Sequence, residues 1–368
     1  MNINSNTAAR MGPSPNMPEV YEIDPIADSR WSDFVKRHPR SSVFHTPQWL
    51  GALRRTYGYR PIVFSTDSPG IDLSNGIVFC EIHSWLTGNR LTSLPFSDHC
   101  EPLVDELVGL NAILTAATRR LRRANLQYAE IRPVDKADFD QSLVHATASY
   151  YLHRLDLRPG LTTLFTNCHK SSTQRKILRS DREGLSHEEG RSDRLLDAFH
   201  QLLVLTRKRH RLPPQPRKWF ENLIGCLGES LNIWVAFKAT LPVAAILTLR
   251  HKSTLVYKYG CSDSQFHNLG SMQFLFWQAI MDAKRQGLQV FDLGRSDIDN
   301  AGLVRFKDRW GSERSVLTYR RFTAAGESEA SFAVGERDRR WDTLRTIIPH
   351  LPNPLLRSAG DVFYKHLG

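Results

Sequence analysis

The sequence predicts a mixed α/β (α+β) protein of two successive domains followed by a helical tail, and three observations carry that prediction. The chain has 368 residues with 41% hydrophobic content, enough for two cores of ordinary size. Segments of strand period and of helix period interleave in both halves. In the second half, three strands follow one another across two-residue turns before a strand, a helix and a strand, which excludes a uniformly alternating βαβ plan. The expected organisation is residues 1–18 without order, a first domain at 19–149, a second at 150–322, and a tail at 323–368 that packs on the domains.

The first domain opens with Trp31, Phe34 and Val35 at helical spacing. In the next helix Thr46 is the cap, Pro47 takes the first position, and Trp49, Leu50 and Leu53 form the buried face. Strands are expected at 60–65, 76–84 and 90–94. The polar loop P-F-S-D-H-C-E-P, residues 95–102, interrupts before a long helix over 105–124. That helix carries Leu107, Leu110, Leu114 and Leu121 on its apolar side, and Arg119, Arg120, Arg122 and Arg123 oppose the negative end of its dipole. A strand at 128–132 completes the unit.

The alternating Y-Y-L-H-R-L-D-L at 150–157 starts the second domain. A basic helix over 161–182 and a longer one over 195–209 follow, and Pro213, Pro214 and Pro216 end the latter. A helix at 219–227 precedes strands at 231–238, 242–250 and 254–259, joined by Ala239-Thr240 and Lys252-Ser253. The loop 261–270 leads into a helix with Met272, Leu275, Phe276, Ala279, Ile280 and Ala283 on one side, stopped by Gly287. A strand at 288–293, a turn, a helix bearing Lys307 and a strand at 316–320 close the domain. The tail, with W-D-T-L-R-T-I-I-P and L-L-R-S-A-G-D-V-F-Y-K-H-L, reads as a helix broken at L-P-N-P.

A formal charge of +11 favours anionic partners without naming one. The cysteines at 80, 100, 168, 226 and 261 are odd in number and widely spaced, so reduced thiols are expected and no metal site. The start is polar, with neither a signal peptide nor an anchor, and no apolar run spans a membrane. These features point to the cytoplasm, with peripheral contact at the inner membrane face open to the amphipathic tail.

Lys307 stands among Leu303, Phe306 and Trp310 on the apolar face of its helix. A buried cation needs a partner. That partner is a bound anion, an acid such as Asp292 or Asp308, or water reached by snorkelling. Asp292 ends its strand and is followed by Gly294, Arg295 and Ser296, where α/β proteins assemble ligands; a plain capped turn explains the same residues. In the 95–102 loop, Asp98, His99 and Glu101 have the chemistry to bind an amine or take its proton, though a solvated loop has the same composition. The amides of Gly270, Ser271, Met272 and Gln273 open a helix and suit a phosphate, but every helix start needs capping. Basic tracts at 170–182 and 207–218 suit an RNA backbone or a solvated face.

With V-F-H-T-P-Q-W-L at 43–50, the 95–102 loop, H-R-L-D-L at 153–157, Y-K-Y-G-C-S-D at 257–263, and above all F-D-L-G-R-S followed by G-L-V-R-F-K-D-R-W-G, the chain resembles the FemAB-like branch of the GNAT superfamily. That branch includes BioF-like acetyltransferase-domain proteins, and the resemblance covers residues 31–322 and reaches into the tail. It implies tandem GNAT-like domains sharing a central cleft. It also implies an acyl- or aminoacyltransferase that forms an amide on an amine of a cell-envelope or exopolysaccharide precursor.

The implied donor is aminoacyl-tRNA or acyl-coenzyme A, with no tightly bound cofactor. The alternatives are a coenzyme A-dependent N-acetyltransferase and a non-catalytic RNA- or precursor-binding protein. The resemblance maps the family's Phe-Lys pair to Phe306 and Lys307, with the lysine contacting the acyl donor or its phosphate. Joined to the reading of the residues, it leads us to expect Lys307, Asp292 and Asp98 in catalysis, Phe306, Tyr259 and residues 270–273 at the donor, and His99, Glu101, Arg295 and Ser296 at the acceptor. The chain departs from ordinary acetyl-coenzyme A enzymes in lacking R-x-x-G-x-G/A before Ser271.

Overall fold

Capping chemistry sets the element boundaries in the first half. The computed structural model describes residues 17–135, 139, 143–324 and 352–367. After strand β1 (Tyr21–Ile23), the Asp28 side chain caps α1 (Ser29–Arg37), which buries Trp31, Phe34 and Val35. A 3₁₀ turn (Val43–His45) leads to α2 (Pro47–Tyr57), where Thr46 accepts from the Trp49 amide as expected. Strands β2 (Arg60–Ser65), β3 (Ile77–Ile82) and β4 (Arg90–Ser93), helix α3 (Leu107–Arg123) and strand β5 (Tyr128–Ile131) follow. Leu107 is a correction: it lies in the first turn of α3 and is exposed, and the buried stripe is Leu110, Ile113, Leu114, Ala117 and Leu121.

Strand β6 (His145–Asp156) begins five residues before the expected strand, so the boundary expected at 149/150 falls inside it. The helix expected over 161–182 is divided into α4 (Leu161–Asn167), a π-helical turn (Lys170–Gln174) and α5 (Arg175–Arg182). At the division the His169 amide leaves the helical ladder to donate to the Arg309 carbonyl at 2.9 Å. Strand β7 (Leu185–Gly190) was not expected, because its polar sequence has no apolar alternation. Helices α6 (Asp193–Arg209) and α7 (Arg217–Leu227) and strands β8 (Leu231–Lys238), β9 (Leu241–His251) and β10 (Thr254–Ser262) match the reading, with longer ends. The loop before the next helix is mostly a 3₁₀ helix (Ser264–Leu269).

Helix α8 (Ser271–Arg285), strand β11 (Val290–Asp297), helix α9 (Ala301–Asp308) and strand β12 (Glu313–Thr323) complete the second half. Strand β11 runs on through Gly294, Arg295 and Ser296, which the sequence reading placed in a turn. The tail helix α10 (Asn353–Leu367) docks through Tyr364, whose hydroxyl donates to the Pro213 carbonyl, while Tyr59 donates to the carbonyls of Tyr364 and Lys365. The first tail piece, W-D-T-L-R-T-I-I-P, and residues 1–16 lie outside the described residues.

Among the described residues, twelve strands form one sheet in the order β1-β2-β3-β4-β5-β12-β6-β11-β10-β9-β8-β7. The halves repeat one plan: an antiparallel run of strands, then a helix that returns the chain parallel to the last strand. In the first half α3 joins the parallel pair β4/β5, and in the second α8 joins β10/β11. Strands β12 and β6 sit between the halves, β12 pairing with both β5 and β6. One core serves both halves, with Trp31, Trp49 and Leu53 meeting Phe199, Trp219 and Phe220. Separate cores lie under α8 with α9 and under α3. Among the described residues, no helix is long and apolar enough to cross a membrane.

Candidate active site

The parallel pair β10/β11 stays in register for three residues only, Thr254 with Val290, Leu255 with Phe291 and Val256 with Asp292. Beyond that point both strands shift register against their outer neighbours. Strand β10 does so between Tyr257 and Tyr259, which makes Lys258 the extra residue, and β11 does so between Asp292 and Arg295. An extra residue bends a strand and strengthens its twist, so two facing bulges part the pair. Gly294 carries the β11 bulge with φ of 71°, a conformation costly for any side-chain-bearing residue.

Lys307 closes one face of this gap. It is 2% exposed, and its Nζ donates to the carbonyls of Gly294 and Arg295, each at 2.8 Å. Its immediate partners are therefore two backbone carbonyls released by the bulge, rather than an acid or open water. Burial pulls its pKa down to about 8, against the opposing pull of Asp98 and Asp292. Phe306 lies beside it, edge-on to Phe276 at 5.2 Å, in the apolar floor shared with Trp310.

Asp98 reaches the other face from the first-half loop. Its Oδ2 accepts from Lys258 Nζ at 3.0 Å, and a Cβ on Gly294 would stand 3.2 Å from that oxygen. Lys258 is itself pulled below its ordinary pKa by burial and lies over the rings of Phe44 and Tyr259. The Tyr319 hydroxyl donates to the Asp98 carbonyl at 2.7 Å, and Arg295 stacks on Tyr150 and Tyr319 with centroid distances of 4.2 and 5.1 Å.

Asp292 is 1% exposed and has both oxygens engaged. Oδ1 accepts from the Gly294 amide and Oδ2 from His99 Nε2, each at 2.8 Å, with Arg154 Nε at 3.6 Å. Burial alone would raise its pKa, but His99, Arg154 and the Gly294 amide outweigh burial and hold it at about 2. Both carboxylate oxygens thus already have partners within the protein.

His99, Asp292 and Arg154 open onto a cavity of about 300 Å³ between residues 39–43, the 95–102 loop and strands β10 and β11. Glu101 lines the same cavity, its Oε2 accepting from the amides of Val134 and Asp135 while burial raises its pKa.

Tyr259 and Ser296 follow Lys258 and Arg295 in their strands, and residues 270–273 lie at the start of α8. The Tyr259 hydroxyl accepts from Trp219 Nε1 at 2.9 Å within the shared core. Ser296 is buried, and its hydroxyl has no hydrogen-bond partner among the described residues. Gly270 packs against α5, where a Cβ would meet the Lys176 carbonyl at 2.5 Å, and Ser271 and Gln273 are buried in the first turn of α8 while Met272 is half-buried. Near that turn Lys176 is pulled below its ordinary pKa by burial and by Arg309 and Arg175.

Sequence reasoning missed Lys258 and Arg154. The signal for Lys258 was a charge inside L-V-Y-K-Y, a strand with apolar residues on both sides. Arg154 sat in a motif already singled out, without a partner to give it a role.

Residues 169–308 match the acetyltransferase (GNAT) domain. Among solved structures, the chain is similar to FemX, at 14% identity and a TM-score of 0.61 over 82% of this chain and 96% of that one. It is similar to the C-terminal domain of a putative lysylphosphatidylglycerol synthetase from Agrobacterium fabrum, at 15% identity and 0.53 over 80% and 90%. A tandem GNAT protein from the clavulanic acid biosynthesis pathway matches at 12% identity and 0.51 over 84% and 100%. At these identities the likeness is one of fold. No curated protein sequence matches the chain.

Proposed function

We propose, from the match of residues 169–308 to the acetyltransferase (GNAT) domain and the likeness of fold to FemX, that the chain is an N-acyltransferase that moves an acyl or aminoacyl group from an activated ester or thioester to a primary amine of a cell-envelope or exopolysaccharide precursor. The observation that carries the reading is the junction at Asp292, where the parting of β10 and β11 meets the cavity between the halves. A donor laid in the gap and an acceptor held in the cavity meet at one point. Such placement supplies a large part of the rate without a covalent enzyme intermediate. Lys307, fixed by two carbonyls, sets a positive charge beside the gap, where negative charge develops on the acyl oxygen or leaving group.

Aminoacyl-tRNA is the first donor proposed. Lys176, Arg175 and Arg309 repel one another near the start of α8, and a phosphate there relieves that repulsion. The basic tracts offer further backbone contacts, although Arg179 is paired with Glu183 and Arg217 with Asp197 and Glu221. The second donor is acyl-coenzyme A. It is favoured by the close packing of Gly270 on α5, which confines that phosphate site to a few residues.

Incubation with charged tRNA, acyl-coenzyme A and amine-bearing envelope precursors, read by mass spectrometry, tests the proposal through appearance of a new amide. A steep loss of rate between ~50 and ~200 mM salt identifies the RNA donor. No amide from any pairing, with the protein folded, refutes the transferase reading and leaves a binding protein.

A further inference from the structure

We infer that the cavity of about 300 Å³ at the junction of the halves is the acceptor-amine site and that His99 is the base that takes the amine's proton, with Asp292 as its positioning residue. The inference rests on the transferase reading above and deepens it.

The assignment begins with the tautomer. Asp292 Oδ2 accepts from His99 Nε2 at 2.8 Å, so the neutral ring carries its proton on Nε2 and its lone pair on Nδ1. Nδ1 has no hydrogen-bond partner among the described residues, and His99 lines the cavity. Phe44 stands edge-on to the imidazole at 5.5 Å and fixes its plane. A base held by a buried carboxylate on its far side, with its free nitrogen at a ligand-sized space, is the arrangement that general-base catalysis needs.

Position supplies the second argument. Asp292 is the last residue of β11 paired with β10, so the carboxylate that holds His99 also marks where the gap begins. An amine beside Nδ1 therefore stands at the mouth of the space proposed for the donor.

Charge supplies the third. Asp292 and Arg154 face His99 from β11 and β6, and His45 lies behind it in the 3₁₀ turn. Arg40, Glu101, Asp135 and His251 complete the cavity's ionisable groups. Burial holds His45 at about 3 and His251 at about 4, so both are neutral, and Arg40 is neutralised by Glu101 and Asp105. With Arg154 and His99 on Asp292, the carboxylate left over is that of Asp135, which suits an entering ammonium.

The step balances as follows. R–NH₃⁺ gives one proton to Nδ1, and its nitrogen lone pair then attacks the acyl carbon. The new C–N bond replaces the C–O or C–S bond of the donor, and the alkoxide or thiolate leaves with a proton lost from the amine nitrogen. The proton held on the imidazolium returns to solvent.

Three measurements test the inference. ¹⁵N-histidine NMR of the folded protein is expected to show His99 protonated at Nε2 and bare at Nδ1, with that pattern lost in Asp292→Asn; a proton on Nδ1 in the wild type overturns the assignment without any appeal to activity. In transfer assays, His99→Gln is expected to lower kcat by ~100-fold or more at unchanged donor KM. His99→Ala is expected to regain rate with added imidazole, which a merely structural role would not do. Circular dichroism and urea midpoints check that both variants are folded. Wild-type kcat in His99→Gln overturns the base and leaves the transferase reading standing, whereas no turnover by the wild type with any donor overturns both. Thr254→Trp, which fills the cavity from β10, is expected to raise acceptor KM by about 10-fold at constant donor KM. An unchanged acceptor KM overturns the placement of the amine.

Discussion

Removing either member of the Asp98–Lys258 pair should destabilise the protein more than removing both. The two charges are 3.0 Å apart, with side chains only 17% and 7% exposed. At an effective dielectric of about 20, their attraction is roughly 5 kcal/mol, most of it offset by the cost of desolvating both groups. Asp98→Ala leaves an ammonium enclosed by Phe44 and Tyr259, with Arg295 and Arg132 repelling it. That variant should lose ~3–5 kcal/mol. Lys258→Met leaves a carboxylate that still feels Lys307 and Arg295, and should lose ~2–3 kcal/mol. In the double variant no buried charge is stranded, so the loss should be ~1–2 kcal/mol, giving a coupling of several kcal/mol.

The assay is urea unfolding followed by tryptophan fluorescence, because Trp49 and Trp219 lie edge to face, 5.3 Å apart, where the halves share their core. Additive losses, with coupling under ~0.5 kcal/mol, would refute the reasoning. The pair would then be a surface contact, and the 95–102 loop would be held in the gap by something else. Coupling of the expected size ties a first-half loop to a second-half bulge, which is the physical basis for treating the halves as one site.

Three further outcomes follow from the same geometry. The pKa of Lys307 falls from 10.5 to about 8 on folding, so the folded state binds fewer protons than the unfolded chain between about 8 and 10.5. Its burial therefore penalises folding below about pH 8, and the penalty is relieved as pH rises through that window; relative to Lys307→Met, the wild type should gain ~3 kcal/mol between pH 7 and 10.5 in paired urea titrations. Gly294→Ala should cost ~1–2 kcal/mol for its φ of 71° alone and should weaken the Asp98–Lys258 coupling, because the new methyl stands 3.2 Å from Asp98 Oδ2; an unchanged double-mutant cycle in this background would contradict the contact. Gly270→Ala puts a methyl 2.5 Å from the Lys176 carbonyl at φ of 80°, so α5 and α8 must separate; thermal denaturation should show a loss of ~2 kcal/mol or more, and an unshifted midpoint would exclude the close packing.

Much of the fold could be read from local signals that survive folding. Thr46 before Pro47, Gly270 before α8 and the two-residue turns at Ala239 and Lys252 are chemical punctuation, and each falls where the reading put it. Strand β7 was invisible because it is an edge strand of mostly polar residues, with Leu185 alone of them in the apolar core. The continuation of β11 was hidden for a related reason. Gly294 reads as a turn, and only the partner strand reveals a bulge.

The site was legible as residue types but not as partnerships. His99 and Asp292 are both in the sequence reading, 193 positions apart, assigned to different tasks; their contact at 2.8 Å is a product of topology. Lys307 was recognisable as a charge on an apolar face. That its partners are carbonyls could not be known without the bulge that releases them.

The repeated plan of the halves explains why chemistry should sit in only one of them. The parallel pair β4/β5 ends at Ser93 and Ile131, as β10/β11 ends at Val256 and Asp292. In the first half the chain after β4 folds back, the Cys100 amide donates to the Arg132 carbonyl, and the Arg132 guanidinium donates to the carbonyls of Leu94 and Ser97. That closure uses a side chain whose charge is permanent, itself paired with Glu130 and stacked on Tyr319. In the second half a lysine, Lys307, takes carbonyls beyond the end of the parallel pair, those of Gly294 and Arg295 in β11, and its pKa of about 8 lies near neutrality. The loop that seals the first gap carries Asp98 to the second gap and His99 to the cavity beside it. Closing one gap thus positions the groups proposed to act at the other, so on that proposal Arg132→Ala should lower transfer although Arg132 lies in the first half.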